Sequence, residues 1–443
     1  MTRIRSVLMT AIAVILAATV VRAQYKPIQF KEYDLPNGLH IILHEDHSAP
    51  VVATVLHYKV GSRDEDPRRT GFAHFFEHLM FEATDNITRA TIDKMINGAG
   101  GQLNAFTSTD QTVYHFVVPS NQVRLALWIE AQRMRKLHVD AIGVETQRGV
   151  VKEERRNRYE NAPYGSRLEK TMKNMFAGTP YEWTPIGSAQ HIDSAAIPEF
   201  KAFYDTFYQP NNAVLVVSGD FDEKVIRETI DAYFGGYQRA SDPPRPVFTG
   251  MQPIAQEVRE TINDTKAQLP LIQIAYRGVG MLDEDAAAAT LLTRILSSGE
   301  SSRLQKALVD SEQVAVQAAS FLMANEYGGT MFVLGVASPG KGVDAIEASI
   351  NRELRRVIDE GVSASELTKA KNIFEAQFIN GRMGVYEKAL GLASAYRFYG
   401  DTKAINGELD KYLKVTADDI KRVAKKIFDT NGRVVLTYLP SKG

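Results

Sequence analysis

Residues 71–81 read GFAHFFEHLMF, and within this otherwise apolar run stand His74, Glu77 and His78. On a helix, side chains three and four positions apart share a face, so His74 and His78 can turn imidazole nitrogens towards one ion with Glu77 beside them. Two imidazoles and a carboxylate suit zinc, whose catalytic sites keep one position for water. A carboxylate that is not itself a ligand can then take a proton from that water. HxxEH reverses the commoner HExxH order, and helical geometry accommodates both. With nine histidines in 443 residues, the pattern arises by chance in roughly one such chain in a hundred, so it is informative. The bland alternative is a helix that tolerates three polar groups.

Two histidines do not hold a catalytic zinc alone. A third ligand can come from ETQRGVVKEERRNRYENAP, a charged helical stretch with Glu145, Glu153 and Glu154. Adjacent glutamates on a helix point about 100° apart, so only one of the last two can face a site. A run of this kind also serves as a solvated face. His40, His44 and His47 lie on or just after an early strand, and His57, His115, His138 and His191 have no partner at ligand spacing; all seven read as structural or surface residues.

The elements that must position the motif follow from local pattern. FKEYDL, LHIILHED and VVATVLHYKVG read as strands with a Pro36-Asn37-Gly38 turn, an opening β-meander. Helical spacing marks 71–82, 87–97, 122–136 and 144–159, and GGQLNAFTSTD with QTVYHFVVP reads as a strand pair. Prolines 243, 244, 246 and 253 mark an extended linker. HYKVGSRDED, ending at Asp66, is echoed by AYRGVGMLDED, ending at Asp285. QPNNAVLVVSGD is echoed by DTNGRVVLTYLP at nearly the same offset, which points to two copies of one mixed α/β unit. At that offset His74, Glu77 and His78 fall on Thr293, Leu296 and Ser297, so the polar triplet is an addition to the first copy.

Charges nearly cancel, 52 basic against 53 acidic residues, which leaves no field to favour nucleic acid or an acidic membrane surface. The absence of cysteine leaves His, Asp and Glu for any metal. Arg3 and Arg5, the uncharged run Val7 to Val21 and Ala23 follow signal-peptide grammar, and the run is short for a permanent anchor. The expected segments are a leader over 1–23, a metal-binding domain over 24–238, a linker over 239–255 and a homologous domain without ligands over 256–443. The mature chain is expected to be periplasmic or secreted.

HFFEH, followed about 75 residues later by GVVKEE and preceded by LPNGLHIILHEDHSAP and KVGSRDED, resembles the pitrilysin or inverzincin zinc metallopeptidases, in particular half-length bacterial members and the catalytic subunit of the mitochondrial processing peptidase. The resemblance implies an α+β fold of two duplicated mixed α/β-roll domains, antiparallel sheets with helices, forming one half of a clamshell. It implies one zinc per chain held by His74, His78 and Glu154, with Glu77 as general base in an endopeptidase. It also gives Asn104, Ala105 and Phe106 a role as peptide-backbone contacts on an edge strand, by strand addition.

Two positions depart from the family pattern. Gln147 stands where an acidic residue is frequent, so less charge surrounds the ligands. Val309 and Val316 stand where the other half of the clamshell carries an arginine and a tyrosine. The resemblance therefore implies a heterodimer with a homologous half-length subunit that lacks HxxEH and supplies the Arg and Tyr pair, a homodimer being the alternative. Rival readings are a noncatalytic core subunit of a membrane-associated or periplasmic complex, and a metal-storage module.

Overall fold

The computed structural model describes residues 26–248, 252 and 254–441; the expected leader and its cleavage site lie outside them. Among the described residues eleven strands form two sheets. The first contains β1 (Lys31–Asp34), β2 (His40–Glu45), β3 (Val51–Tyr58), β4 (Gln102–Thr107), β5 (Thr112–Pro119) and β6 (Ala213–Gly219), in the order β1-β2-β6-β3-β5-β4. The second contains β7 (Val258–Asp264), β8 (Leu271–Gly278), β9 (Ala315–Ala324), β10 (Gly329–Ala337) and β11 (Arg433–Pro440), in the order β7-β11-β8-β10-β9. Pairing is antiparallel except for β2 with β6 and β7 with β11, so the sheets match strand for strand from β2 onward.

The opening strands are not a meander. The strand AVLVVSG, buried at all seven positions, inserts between β2 and β3. A segment so apolar on both faces needs neighbours on both sides and layers above and below, which an interior place supplies. The helix expected from 87 begins only at Ile92, because Thr84 Oγ1 accepts the amides of Asn86 and Ile87 and turns the chain there. The helix expected from 144 begins at Ala141, capped by Asp140, whose carboxylate accepts from Gly143 N at 2.8 Å.

Each sheet has one face against helices of its own half of the chain. The rear faces are covered by exchange. Helix Val385–Tyr399 sets Ala389, Leu392, Ala393 and Ala395 against Ile42, Val55 and Val216 of the first sheet. Helix Arg167–Met175 sets Met172 and Met175 against Leu271, Ala275 and Leu436 of the second.

The halves are also locked by a buried polar cluster. Arg63 donates to Asp110 at 2.9 Å and to Glu326 at 2.8 Å, Arg397 donates to Glu326 at 3.0 Å, and the Tyr181 hydroxyl donates to Asp110 at 2.8 Å. The proline-rich segment is held at both ends of its contacts: Arg245 pairs with Asp64 at 3.1 Å and Phe248 stacks on Tyr327. No helix among the described residues is long and apolar enough to cross a membrane.

Candidate metal centre

The helix Phe72–Leu79 is short, and its sequence gives it two faces. Phe72, Phe75, Phe76 and Leu79, spaced three and four apart, are buried, and Phe72 and Phe75 both lie 4.6 Å from the Phe200 ring. This packing fixes the rotation of the helix and turns His74, Glu77 and His78 the other way. Gly71 opens the helix at φ 98°, and a Cβ there would stand 2.8 Å from Ile192 Cδ1 and 2.9 Å from Ile186 O. Only glycine fits both the angle and the space.

Below that glycine sits a residue whose part sequence reasoning missed. Glu65 is buried and accepts from Gly71 N at 2.9 Å, Ala73 N at 2.8 Å and Trp183 Nε1 at 3.0 Å. A carboxylate against the first-turn amides satisfies donors that have no partner inside the helix and suits its positive end. Burial nevertheless pushes the Glu65 carboxyl up to about 8. The one signal for it was its place in KVGSRDED, read as a repeat marker.

The second helix of the centre, Ala141–Arg155, packs Val144 and Val151 into the same core. Glu154, one turn on from Val151, reaches back to the histidines. Its Oε2 lies 3.5 Å from His74 Nε2 and 3.2 Å from His78 Nε2, and the three donor atoms fall within 4.8 Å of one another. Among the described residues no other group of His, Asp and Glu converges in this way. Hydrogen bonds from His74 and His78, against a smaller effect of burial, hold the Glu154 carboxyl well below the usual range. Glu154 Oε1 pairs with Arg158 at 2.9 Å. Glu153 is exposed and pairs with Arg156, and Glu145 is exposed and pairs with Arg148.

The donor set fits zinc. Ligands at about 2.0–2.1 Å in a tetrahedron stand about 3.3 Å apart, and the two nitrogen to oxygen separations bracket that value. Glu77, on the same helix and half-buried, is close enough for its charge to act on the hydroxyls of Tyr114 and Tyr208.

The remaining expected residues divide. Asn104, Ala105 and Phe106 lie on β4, at the free edge of the first sheet; Ala105 packs towards the motif helix and Phe106 towards the rear face, while Asn104 is exposed and accepts from Ala105 N at 2.9 Å. Gln147 donates to Glu82 Oε1 at 2.6 Å, and Glu82 is a buried carboxylate also paired with Arg89. The amide thus meets an acidic group supplied from another place in the chain. Val309 packs against the core of the second half, and Val316 is exposed on β9.

Comparison with known proteins gives two family matches. The profile described as "Insulinase (Peptidase family M16)" matches residues 40–187, and that described as "Peptidase M16 inactive domain" matches residues 196–374. The chain is 28% identical to "Zinc protease PqqE" of Helicobacter pylori over 97% of both chains. It is 26% identical to "Probable mitochondrial-processing peptidase subunit beta, mitochondrial" of Arabidopsis thaliana, over 89% of this chain and 76% of that one. A crystal structure of a protease from Helicobacter pylori superimposes with a TM-score of 0.89 at 26% identity, covering 94% of this chain and all of the other.

Proposed function

Because the chain belongs to the M16, or pitrilysin, family of metallopeptidases, we propose that it is a zinc endopeptidase. One ion per chain would be held by His74, His78 and Glu154, with Glu77 as general base. The observation that carries this reading is the convergence of two Nε2 atoms and one carboxylate oxygen within 4.8 Å, beside a glutamate on the same helix. Zinc in that donor set would act as a Lewis acid on the scissile carbonyl and its attacking water.

The chain's own residues do the rest. The free edge of β4 hydrogen-bonds the backbone of an extended peptide around Asn104, Ala105 and Phe106, which reads main chain more than side chains. Glu77 takes the proton of the attacking water and returns it to the departing amine. Arg158 occupies Oε1 of Glu154, leaving Oε2 to face the histidines.

The remainder of the proposal concerns setting. Val309 and Val316 offer neither guanidinium nor phenol to a facing zinc site, so the chain is completed by a homologous half-length subunit that does. That closure would shut water out of the site. The leader features of the sequence support a setting in the periplasm or outside the cell. A noncatalytic role draws support from the match of the second half to a domain described as inactive, and one experiment separates the two. Purified protein should carry about one zinc per chain by plasma mass spectrometry. Glu77→Gln should keep that zinc and lower peptide hydrolysis about 10²–10⁴-fold. Unchanged hydrolysis in the variant would end the mechanism. Wild-type protein that holds zinc yet cleaves nothing, alone or with its partner, would favour the noncatalytic subunit.

A further inference from the structure

We infer that helix Val385–Tyr399 positions the candidate peptide strand and is released from it by protons, because its seat on the first sheet carries four of the chain's nine histidines. The consequence for catalysis rests on the peptidase reading; the observation does not. Register places the four side chains on one face. His40, Val214, His57 and Val113 align across β2, β6, β3 and β5; Ile42, Val216, Val55 and His115 form the next row, and His44, Ser218 and Ala53 the one after.

The helix lies directly on them. Tyr396 stacks on His40 with ring centroids 3.6 Å apart, Phe398 meets His57 edge-on at 6.1 Å, and Tyr386 lies 4.1 Å from His115. Over His44, Lys388 of the helix pairs with Asp46.

The groups facing each histidine decide what a proton would meet. His40 faces Asp34 at 2.8 Å and Glu32 at 3.4 Å. His44 gives Nδ1 to Gln29 O at 2.6 Å and faces Asp46 at 3.9 Å with Lys388 behind it. His57 is fully buried, neither ring nitrogen has a partner, and the charge that reaches it is Arg397 of the same helix. His115 has an unpartnered Nδ1, with Tyr386 on one side and the charge of Arg133 acting from the other.

Burial depresses the affinity of His44 for a proton, and takes His57 to about 3 and His115 to about 4. The sign follows from linkage. The undocked state, with ordinary histidines near 6.5, binds more protons than the docked state, so docking is undiminished above about pH 6.5 and weakens as pH falls from there towards about 4. His57 and His115 together favour undocking by about a hundredfold at pH 5.5 relative to neutral pH, and His44 acts in the same direction.

What undocking would release is near the site. Arg397 donates to Asp110 O at 3.2 Å and to Glu326 at 3.0 Å, and Asp110 lies in the turn joining β4 to β5. With the helix lifted, the hairpin that presents β4 loses the Arg397 part of its tie to the second half and keeps Glu326 N to Asp110 at 2.9 Å and the Arg63 bridge between Asp110 and Glu326. The matching seat of the exchanged helix on the second sheet is lined by Leu271, Ala275, Phe332 and Leu436, and no histidine follows residue 191 anywhere in the chain.

Hydrogen exchange followed by mass spectrometry on the intact chain, from pH 7.5 to 5.0 and corrected for intrinsic rates, tests this. Protection of 385–399 should fall at least about a hundredfold between pH 7.5 and 5.5, while the strands of the second sheet stay protected. His57→Leu with His115→Leu should remove about a hundredfold of that fall, and the acid limb of peptide hydrolysis should move to lower pH. Should the double variant not fold, His115→Leu alone should make the fall about tenfold smaller. The inference is overturned by unchanged protection down to pH 5.0, by loss in step with the second sheet, or by variants that behave as wild type. The exchange result stands whether or not any peptide is cleaved, so a failed peptidase reading would show separately.

Discussion

The helix Phe72–Leu79 and its repeat counterpart Ala286–Ser297 lean on sheets of the same strand order, and they use equivalent positions in opposite ways. In the second half, Thr293 turns its hydroxyl to Thr290 O, Leu296 is fully buried, and Ser297 Oγ donates to Ser320 O at 3.0 Å and accepts from Ser320 N at 2.9 Å. The helix is thereby tied to β9. In the first half the same positions hold His74, Glu77 and His78, and the two histidines turn instead towards Glu154. The donor set was therefore built on positions that a twin scaffold devotes to packing and hydrogen bonding. That separates what the fold requires from what the site requires.

The comparison can be broken most forcefully by writing one copy's residue into the other. His78→Ser, which installs the second-half residue, should reduce bound zinc from about one per chain to a small fraction of that, and hydrolysis at least about a hundredfold. Metal analysis and peptide assay on the same preparation would decide; retained zinc would mean that His78 is no ligand.

A smaller effect is expected at the start of the helices. Glu65→Ala leaves the amides of Gly71 and Ala73 and the Trp183 indole without their acceptor, at about 1–3 kcal/mol for a buried orphan. Its repeat counterpart Glu284 is exposed, so Glu284→Ala should stay within about 0.5 kcal/mol. Denaturant melts of both variants measure the contrast, and equal midpoints would remove Glu65 from the account.

The smallest effect is expected at Ser297→Ala, which removes the tie to β9 at about 1 kcal/mol. Amide exchange should quicken at Ser320 and leave β4 unchanged. Faster exchange at β4 instead would mean that the two edges are not independent.

How far the molecule could be read beforehand varies with range. The motif helix, the duplicated unit and the β4–β5 pair were legible because they rest on period, turn residues and nearby spacing. The insertion of β6 between β2 and β3 was not, since strand order depends on which neighbours a fully apolar strand finds across the chain. From residue chemistry alone Glu153 and Glu154 were equal candidates; the family resemblance favoured Glu154, and its approach to the histidines follows from the rotation of a helix set by Val144 and Val151. Glu65 escaped notice because a buried cap is invisible until the helix start and Trp183 are brought together. The histidines of β2, β3 and β5 were read one at a time as structural, whereas their shared face emerges only from register.

The exchange of rear helices has a consequence for the order of events in synthesis. By the time residue 238 has been made, every strand of the first sheet and all three candidate ligands exist, yet the face bearing Ile42, Val55 and Val216 has no cover until Tyr399 has followed. The second sheet meets the opposite situation, since its cover, Arg167–Met175, is made before any of its strands. Contacts of such long sequence separation form late and leave apolar surface exposed meanwhile. The nascent chain therefore cannot finish either layer early: both close near the end of translation, and a chain cut short between residues 238 and 385 would carry a complete donor set on a sheet open at the back.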